Sequence, residues 1–305
     1  MKNVLIFGVN GYLGGLAAEV LHQNDYRVDG VGTTDQIDDA LMDHVFQYFK
    51  IPENGNEYNI NLETYDIIMF CISLDHNKSE ENYRTTIDVN CGILSRLIQL
   101  CRALPSPPRL IYLSTQQVYE KHDFESNIVK PTNIYGVTHF LCERLLELYH
   151  RSDVIRPSNV YGPPKTQRAN VDWTLIPSLI KSALTQNNMT LRNDGSALRN
   201  FIFSEDYQSI ILELFSGENS NHRIHDFIGC QTASIGYVKS QLSTIMLENK
   251  RQVTVQLPDD YDPSTESIVT NLDRKNFLNL QKKIWIGSTN ITDGIKATYS
   301  YYEDI

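Results

Sequence analysis

Five short, nearly uninterrupted apolar runs, at residues 4–7, 27–31, 67–72, 110–113 and 154–156, punctuate the first half of the chain. Runs of this length without polar alternation read as strands buried on both faces. Between them lie longer stretches in which apolar residues recur every three or four positions. Residues 80–103 place Val89, Ile93, Leu94, Leu97, Ile98 and Leu100 on one helical face and stop before Pro105; residues 134–149 repeat the pattern with Phe140, Leu141, Leu145, Leu146 and Leu148. The alternation predicts an α/β chain, a doubly wound parallel sheet with right-handed helical crossovers. Beyond Pro163 the order becomes irregular, with turn signals at Gly195, Gly217, Gly229 and 258–263, which suits a smaller C-terminal lobe.

Composition narrows the class. At 305 residues, 41% hydrophobic and 21% charged, the chain can bury a substantial core, and no apolar run approaches a bilayer span. Met1-Lys2-Asn3 followed by four apolar residues is too short for a secretory signal, and no small-residue cleavage site follows, so it reads as a first strand. Cys71, Cys91, Cys101, Cys142 and Cys230 are odd in number and contain no CxxC pair, which predicts a reducing, cytoplasmic setting and no zinc site. His222, His225 and Asp226 have the composition of a metal cluster, but they sit in a strand-like run, so no metal is expected. The formal charge of −10 speaks against a nucleic-acid partner and leaves anionic small molecules open.

The first candidate chemistry is the turn Gly8-Val9-Asn10-Gly11-Tyr12-Leu13-Gly14, between the first strand and an apolar helix over 13–21. Glycines there allow a tight turn and let a pyrophosphate approach backbone N–H groups at a helix N-terminus, where the helix dipole favours negative charge. Gly8, Asn10, Gly11, Tyr12, Leu13 and Gly14 are therefore expected to bind a dinucleotide. The end of the second strand normally chooses between NAD and NADP, since an acid there holds the ribose 2′-hydroxyl and repels a 2′-phosphate. Here Gly32 stands where that acid is expected, followed by the hydroxyls of Thr33 and Thr34, with Asp35 a few residues late. NADP(H) is favoured and NAD(H) remains open, because no arginine is present to settle it.

Further on, Leu110-Ile111-Tyr112-Leu113 ends in Ser114-Thr115-Gln116-Gln117-Val118-Tyr119, and sixteen residues after Tyr119 comes Tyr135-Gly136-Val137-Thr138-His139. Then follow Arg156-Pro157-Ser158-Asn159-Val160-Tyr161-Gly162-Pro163 and Arg199-Asn200-Phe201-Ile202-Phe203-Ser204-Glu205-Asp206. This succession resembles the NAD-dependent epimerase/dehydratase family, the nucleotide-sugar branch of the extended short-chain dehydrogenases/reductases. Its patterns are a Ser/Thr strand end, YxxxK, RPxNVYGP and RDFIxVxD. The resemblance runs down to Val269-Thr270-Asn271-Leu272-Asp273 and the closing Asp293-Gly294-Ile295. It implies a Rossmann sheet over 1–162, with 199–216 returning to it, and a substrate-binding lobe formed mainly by 163–198 and 217–305.

The resemblance also implies roles. Thr115 would bond the sugar near the reacting carbon, Tyr135 would be the general acid/base, and His139 would stand in the lysine position, with Ser114, Tyr135 and His139 also at the cofactor. Asn159 and Arg199 would contact the substrate, Arg199 at its diphosphate; Arg168 and Arg192 are neighbouring candidates that read more simply as solvated surface. Asn90, within Asp88-Val89-Asn90, reads as a structural residue supporting the active-site strand. The helices over 80–103 and 134–149 would pair across a twofold axis, giving a homodimer.

Two departures shape the expected reaction. Members that dehydrate carry acids where this chain has Gln116 and Gln117, and an amide has no useful proton affinity near neutral pH, so 4,6-dehydration is not expected. The lysine of YxxxK is His139. A cation ~4 Å from a tyrosinate is worth roughly 4 kcal/mol at an effective dielectric near 20; an imidazole with an ordinary pKa of ~6.5 is mostly neutral at pH 7. That penalises a mechanism that begins with a tyrosinate base more than one in which neutral tyrosine donates. The expected activity is reduction of a 4-keto (6-deoxy) sugar nucleotide at C4. A C4 epimerase is the alternative, and a catalytically degenerate dinucleotide-binding protein is the alternative of another class.

Overall fold

The computed structural model describes residues 1–51, 60–119, 128–166, 171, 174–191, 194–217, 221–270 and 282–304. Its first half runs β1 (Asn3–Phe7), α1 (Tyr12–His22), β2 (Arg27–Gly32), β3 (Tyr48–Lys50), β4 (Ile67–Phe70), α2 (His76–Glu81), α3 (Tyr83–Ile87), α4 (Ile93–Arg102), β5 (Arg109–Leu113), α5 (Ile134–Leu146), β6 (Ser152–Pro157) and β7 (Asn159–Tyr161). Then come α6 (Leu175–Gln186), β8 (Asn188–Thr190), β9 (Leu198–Phe203), α7 (Ser204–Ser216), β10 (Arg223–Ile228), β11 (Gln231–Ser234), α8 (Ile235–Glu248), β12 (Thr254–Gln256), β13 (Ile268–Thr270), β14 (Lys282–Ile286) and α9 (Ile291–Glu303).

The large sheet has the order β14-β10-β6-β5-β4-β1-β2-β3, and every pairing in it is parallel. The apolar runs lack alternation because both faces are covered. Val4, Ile6, Met69 and Ile111 pack into a core shared with Leu16 and Ile211 of α1 and α7. Their neighbours Leu5, Phe7, Phe70 and Tyr112 pack into another with Leu97 of α4 and Leu146 of α5. This is the doubly wound arrangement expected of the sequence.

The helical stretch expected over 80–103 is not one helix. Asn82 is extended and caps α3 through the Thr85 N–H, and residues 88–92 form a π-helical turn before α4. The cause of the widening lies at Asn90, whose buried side chain accepts from the Leu74 N–H at 2.8 Å and donates to Thr138 at 3.0 Å. π-turns of this kind accommodate an inserted side-chain contact. The helix expected over 134–149 ends at Leu146, one turn early, where the hydroxyl of Ser152 takes the Leu146 and Tyr149 carbonyls.

Beyond Pro163 the chain is more regular than its turn signals suggest. A four-stranded sheet, β13-β11-β9-β7, and a two-stranded one, β12-β8, pack with α6, α8 and α9 around a separate apolar core that includes Ile180, Phe201, Leu242 and Ile295. Within 199–216 the strand β9 joins this smaller sheet, while α7 packs against α1. From the stretch after 217, β10 and β14 extend the large sheet instead. Asn271, Leu272 and Asp273 lie outside the described residues.

Buried charges tie the sheet to its helices on both faces. On the α7 side Asp153 accepts from Arg109 at 2.7 Å and pairs with His225 at 2.7 Å, while Trp285 donates to the other nitrogen of that imidazole. On the α5 side Arg156 forms a two-pronged pair with Glu143, at 2.9 and 2.5 Å, and donates to Tyr119, whose hydroxyl bonds Asp226. His225 and Asp226 thus serve opposite faces of β10, and His222 bonds Ser152; the three do not converge. Removing one partner of a buried pair strands the other as an uncompensated charge. Arg156→Met should therefore destabilise the protein by about 3–5 kcal/mol in urea unfolding, with Arg156→Lys recovering only part because an ammonium cannot make both prongs. A loss below about 1 kcal/mol would show that Glu143 finds another partner or a proton.

Candidate active site

A cavity of about 620 Å³ opens at the carboxyl edge of the large sheet, between it and the smaller lobe. Such edges are where open α/β sheets hold ligands. Its floor is the turn from β1 to α1. Gly8 has φ +85°, and a Cβ at Gly14 would lie 2.3 Å from the Gly8 carbonyl oxygen, so α1 rests directly on the turn. Gly11 precedes the helix, and no side chain caps its first N–H groups. A pyrophosphate fits that cradle: uncapped donors, close backbone and the positive helix end.

Gly8, Gly11, Tyr12, Leu13 and Gly14 line the cavity; Asn10, Thr33 and Thr34 do not. Asn10 braces the turn against the loop after β2. Its amide donates to the Thr34 hydroxyl at 2.7 Å and to the Gln36 carbonyl at 3.1 Å, and its oxygen accepts from the Asp38 N–H. The Thr34 hydroxyl is committed to the Gln36 carbonyl and the Tyr48 phenol, while Thr33 is exposed. A Cβ on Gly32 would meet the Tyr48 hydroxyl oxygen at 2.4 Å, so an acid at position 32 would have to displace that ring. Asp29, the acid within β2, is turned away to Tyr65.

At the other end of the cavity, Asn133 caps α5 through the Gly136 N–H. A Cβ at Gly136 would lie 2.5 Å from the Gln117 carbonyl oxygen. Only glycine lets the helix press this closely on the turn that follows β5, and that contact sets Tyr135 beside Thr115. Burial pushes the phenol's pKa up to about 12, against the neighbouring hydroxyls of Ser73 and Thr115, which act to lower it. His139 stands one helical turn on, its ring 4.4 Å from that of Tyr135 and edge to face. Burial holds this imidazole neutral, with a pKa lowered to about 3. Its Nδ1 bonds the Tyr112 hydroxyl at 2.6 Å, and its buried Nε2 has no partner. An orphaned ring nitrogen in a cavity wall fits a sugar hydroxyl of a bound dinucleotide. Ser114 also lines the cavity, but its hydroxyl donates to Glu143 at 2.6 Å.

Asn159 and Arg199 face the same cavity from the lobe side. Asn159 donates to the Asn200 carbonyl, and Arg199, with one donor on the Leu198 carbonyl, is lowered below its ordinary pKa by burial. Arg168 and Arg192 lie outside the described residues. The segment after β4, not singled out from the sequence, contributes Ser73, Asp75, His76 and Lys78 to the wall, with the His76 ring 6.4 Å from Tyr135. The available signal was a polar run directly after a fully buried strand, at the edge where this fold places its ligands. Among the described residues no group of three His, Cys, Asp or Glu side chains could hold a metal, and no helix is long and apolar enough to cross a membrane.

The model of the NAD dependent epimerase/dehydratase family matches residues 4–225. A trifunctional UDP-glucose 4,6-dehydratase/UDP-4-keto-6-deoxy-D-glucose 3,5-epimerase/UDP-4-keto-L-rhamnose-reductase of Arabidopsis thaliana is 25% identical over 327 residues, covering 99% of this chain and 47% of that protein. The chain spans about half the length of the curated relatives it matches. Among solved structures, the NAD dependent NDP-hexosamine 5,6-dehydratase TunA superposes with a TM-score of 0.79 at 19% identity, covering 100% of this chain and 99% of that one. The UDP-glucuronic acid 4-epimerase of Bacillus cereus, in complex with UDP-glucuronic acid and NAD, gives 0.75 at 18%, with 99% of each covered. Both likenesses are of fold.

The neutral imidazole has a measurable signature. Because the folded pKa of His139 lies far below the ~6.5 of an unfolded chain, acid protonates the unfolded state first. Its contribution to stability is present above pH ~6.5 and is lost as pH falls toward about 3. His139→Gln lacks this term, so the stability gap between variant and parent should narrow by about 2 kcal/mol between pH 7 and pH 5. A gap that does not change with pH would mean that His139 takes up its proton in the folded protein as readily as in the unfolded chain.

Proposed function

Because the chain belongs to the NAD dependent epimerase/dehydratase family, we propose that it reduces the C4 ketone of a 4-keto-6-deoxy sugar nucleotide, taking NADP(H) in preference to NAD(H). The observation that carries this reading is the pairing of a phenol held protonated, at about 12, with a neutral imidazole where a lysine would stand. When bound, the dinucleotide supplies the hydride for C4. The proton comes from this chain: Tyr135 gives its phenolic hydrogen to the carbonyl oxygen, the ketone becomes an alcohol, and solvent reprotonates the phenolate. Thr115, beside that phenol, holds the sugar. His139, with the Tyr112 hydroxyl donating to Nδ1, offers Nε2–H to the nicotinamide ribose, and Arg199 and Asn159 take the substrate's diphosphate and sugar. The glycine turn and the first turn of α1 hold the pyrophosphate.

Two features weigh against the other activities carried by relatives. The side-chain oxygen of Gln117, in the cavity wall, accepts from the Asn133 amide, and neither Gln117 nor Gln116 can act as the acid or base of an elimination. Epimerisation that begins by oxidising an alcohol needs a tyrosinate, which a pKa near 12 and a neutral His139 disfavour. The Arabidopsis relative's name joins dehydratase, 3,5-epimerase and 4-ketoreductase, and the ketoreductase is the one this site supports. Cys71, Cys91, Cys101, Cys142 and Cys230 carry thiols rather than disulfides, which supports a reducing compartment, the cytoplasm. Exposed Tyr83, Ile87, Val137 and Leu141 on α3 and α5 support a homodimer through these helices; light scattering at micromolar protein should give twice the chain mass, and a monomer would remove that part of the reading.

Incubation with a 4-keto-6-deoxy sugar nucleotide and NADPH separates the candidates. Net NADPH oxidation marks the reductase, interconversion of stereoisomers without net consumption an epimerase, and cofactor binding without turnover a degenerate member. Tyr135→Phe should lower reduction by about 10²- to 10⁴-fold, while His139→Ala should cost less and fall chiefly on cofactor binding. Full turnover by Tyr135→Phe would place the acid elsewhere.

A further inference from the structure

NADP differs from NAD by one phosphate on the adenosine ribose, and a fold of this kind meets that ribose at the end of β2. The β2 end itself offers no cation: the residues are Gly32, Thr33, Thr34 and Asp35. The neighbouring strand does. Gly32 lies in register with Lys50 across the parallel β2/β3 pair, and the Ile51 N–H donates to the Gly32 carbonyl at 2.8 Å, fixing the end of β3 beside the end of β2. Side chains two apart on a strand share a face. Tyr48 turns its hydroxyl over Gly32, and Lys50, the next residue on that face, stands at the edge where β2 gives way to its loop. Its ammonium lies 2.5 Å from the carboxylate of Asp35.

We propose that Lys50 is the residue that selects NADP(H) over NAD(H), exchanging the Asp35 carboxylate for the 2′-phosphate. The inference rests on the dinucleotide reading above and adds the group that reads the phosphate. The exchange is easy in both directions. The Asp35 side chain is 84% exposed and can turn to water, and surface ion pairs of this kind contribute little to stability. A ribose phosphate brings more charge and more acceptor oxygens than a carboxylate, which suits the compact point charge of a lysine. With NAD no anion competes, and the Lys50–Asp35 pair stays closed.

Calorimetric titration of NADPH and of NADH, without sugar substrate, into the parent protein, Lys50→Met, Lys50→Arg and Asp35→Asn tests this. NADPH should bind the parent more tightly. Lys50→Met should weaken NADPH by about tenfold, the scale of one charge-assisted contact partly open to solvent, and leave NADH within about twofold; Lys50→Arg should restore NADPH. Asp35→Asn should tighten NADPH a few-fold by removing the competing anion, and the NADPH advantage should shrink as salt is raised. Equal weakening of both dinucleotides in Lys50→Met, or a parent that prefers NADH, overturns the role of Lys50 while leaving the dinucleotide site standing. A parent that binds neither overturns the site and this inference together.

Discussion

The two-pronged pair between Glu143 and Arg156 fixes how α5 is rotated about its own axis, and the site depends on that rotation. Tyr135, His139 and Glu143 follow one another at intervals of four, so they form one stripe along the helix. The pair locks the last member of the stripe to β6 in a fully buried position, and Ser114 locks the same carboxylate to the end of β5. A helix so anchored cannot roll, and its first two stripe residues must face the cavity. Gly136 then sets how closely the helix end approaches the turn that carries Thr115. Orientation comes from charge, and distance from the absence of a side chain.

Burial does further chemical work at this stripe. It acts in the same direction on both rings, against charge, and because one ring is acidic and the other basic it raises the first pKa and lowers the second. The outcome is a neutral pair across the pH range in which proteins usually operate. A lysine in place of His139 would bring charge into that pair, so the residue four places after the tyrosine decides whether the pair is neutral.

Much of this was legible in the sequence, for identifiable reasons. Strands buried on both faces appear as apolar runs, and the glycine turn and the Tyr135–His139 spacing are local patterns. What was hidden depended on contacts distant in sequence. The π-turn at 88–92 exists because Asn90 reaches Leu74 and Thr138, neither of which is marked by periodicity. The return of β10 to the large sheet is decided by pairing with β6, where Arg223 lies beside Asp153, and β14 follows by pairing with β10. The position of Lys50 opposite Gly32 becomes visible only when strand register is known.

Tyr12 belongs to the glycine turn, yet its hydroxyl donates to the carbonyl of Gly162 at 3.0 Å, where the chain leaves β7 with φ +127° to build the lobe. Thr166, just beyond, reaches back to the Asn10 carbonyl at 3.3 Å. The floor of one compartment is thereby stitched to the hinge of the other. The lobe cannot swing away without pulling on the glycine turn, so the two halves of the cavity share one mechanical joint, and whatever stiffens the floor also sets the height of the roof.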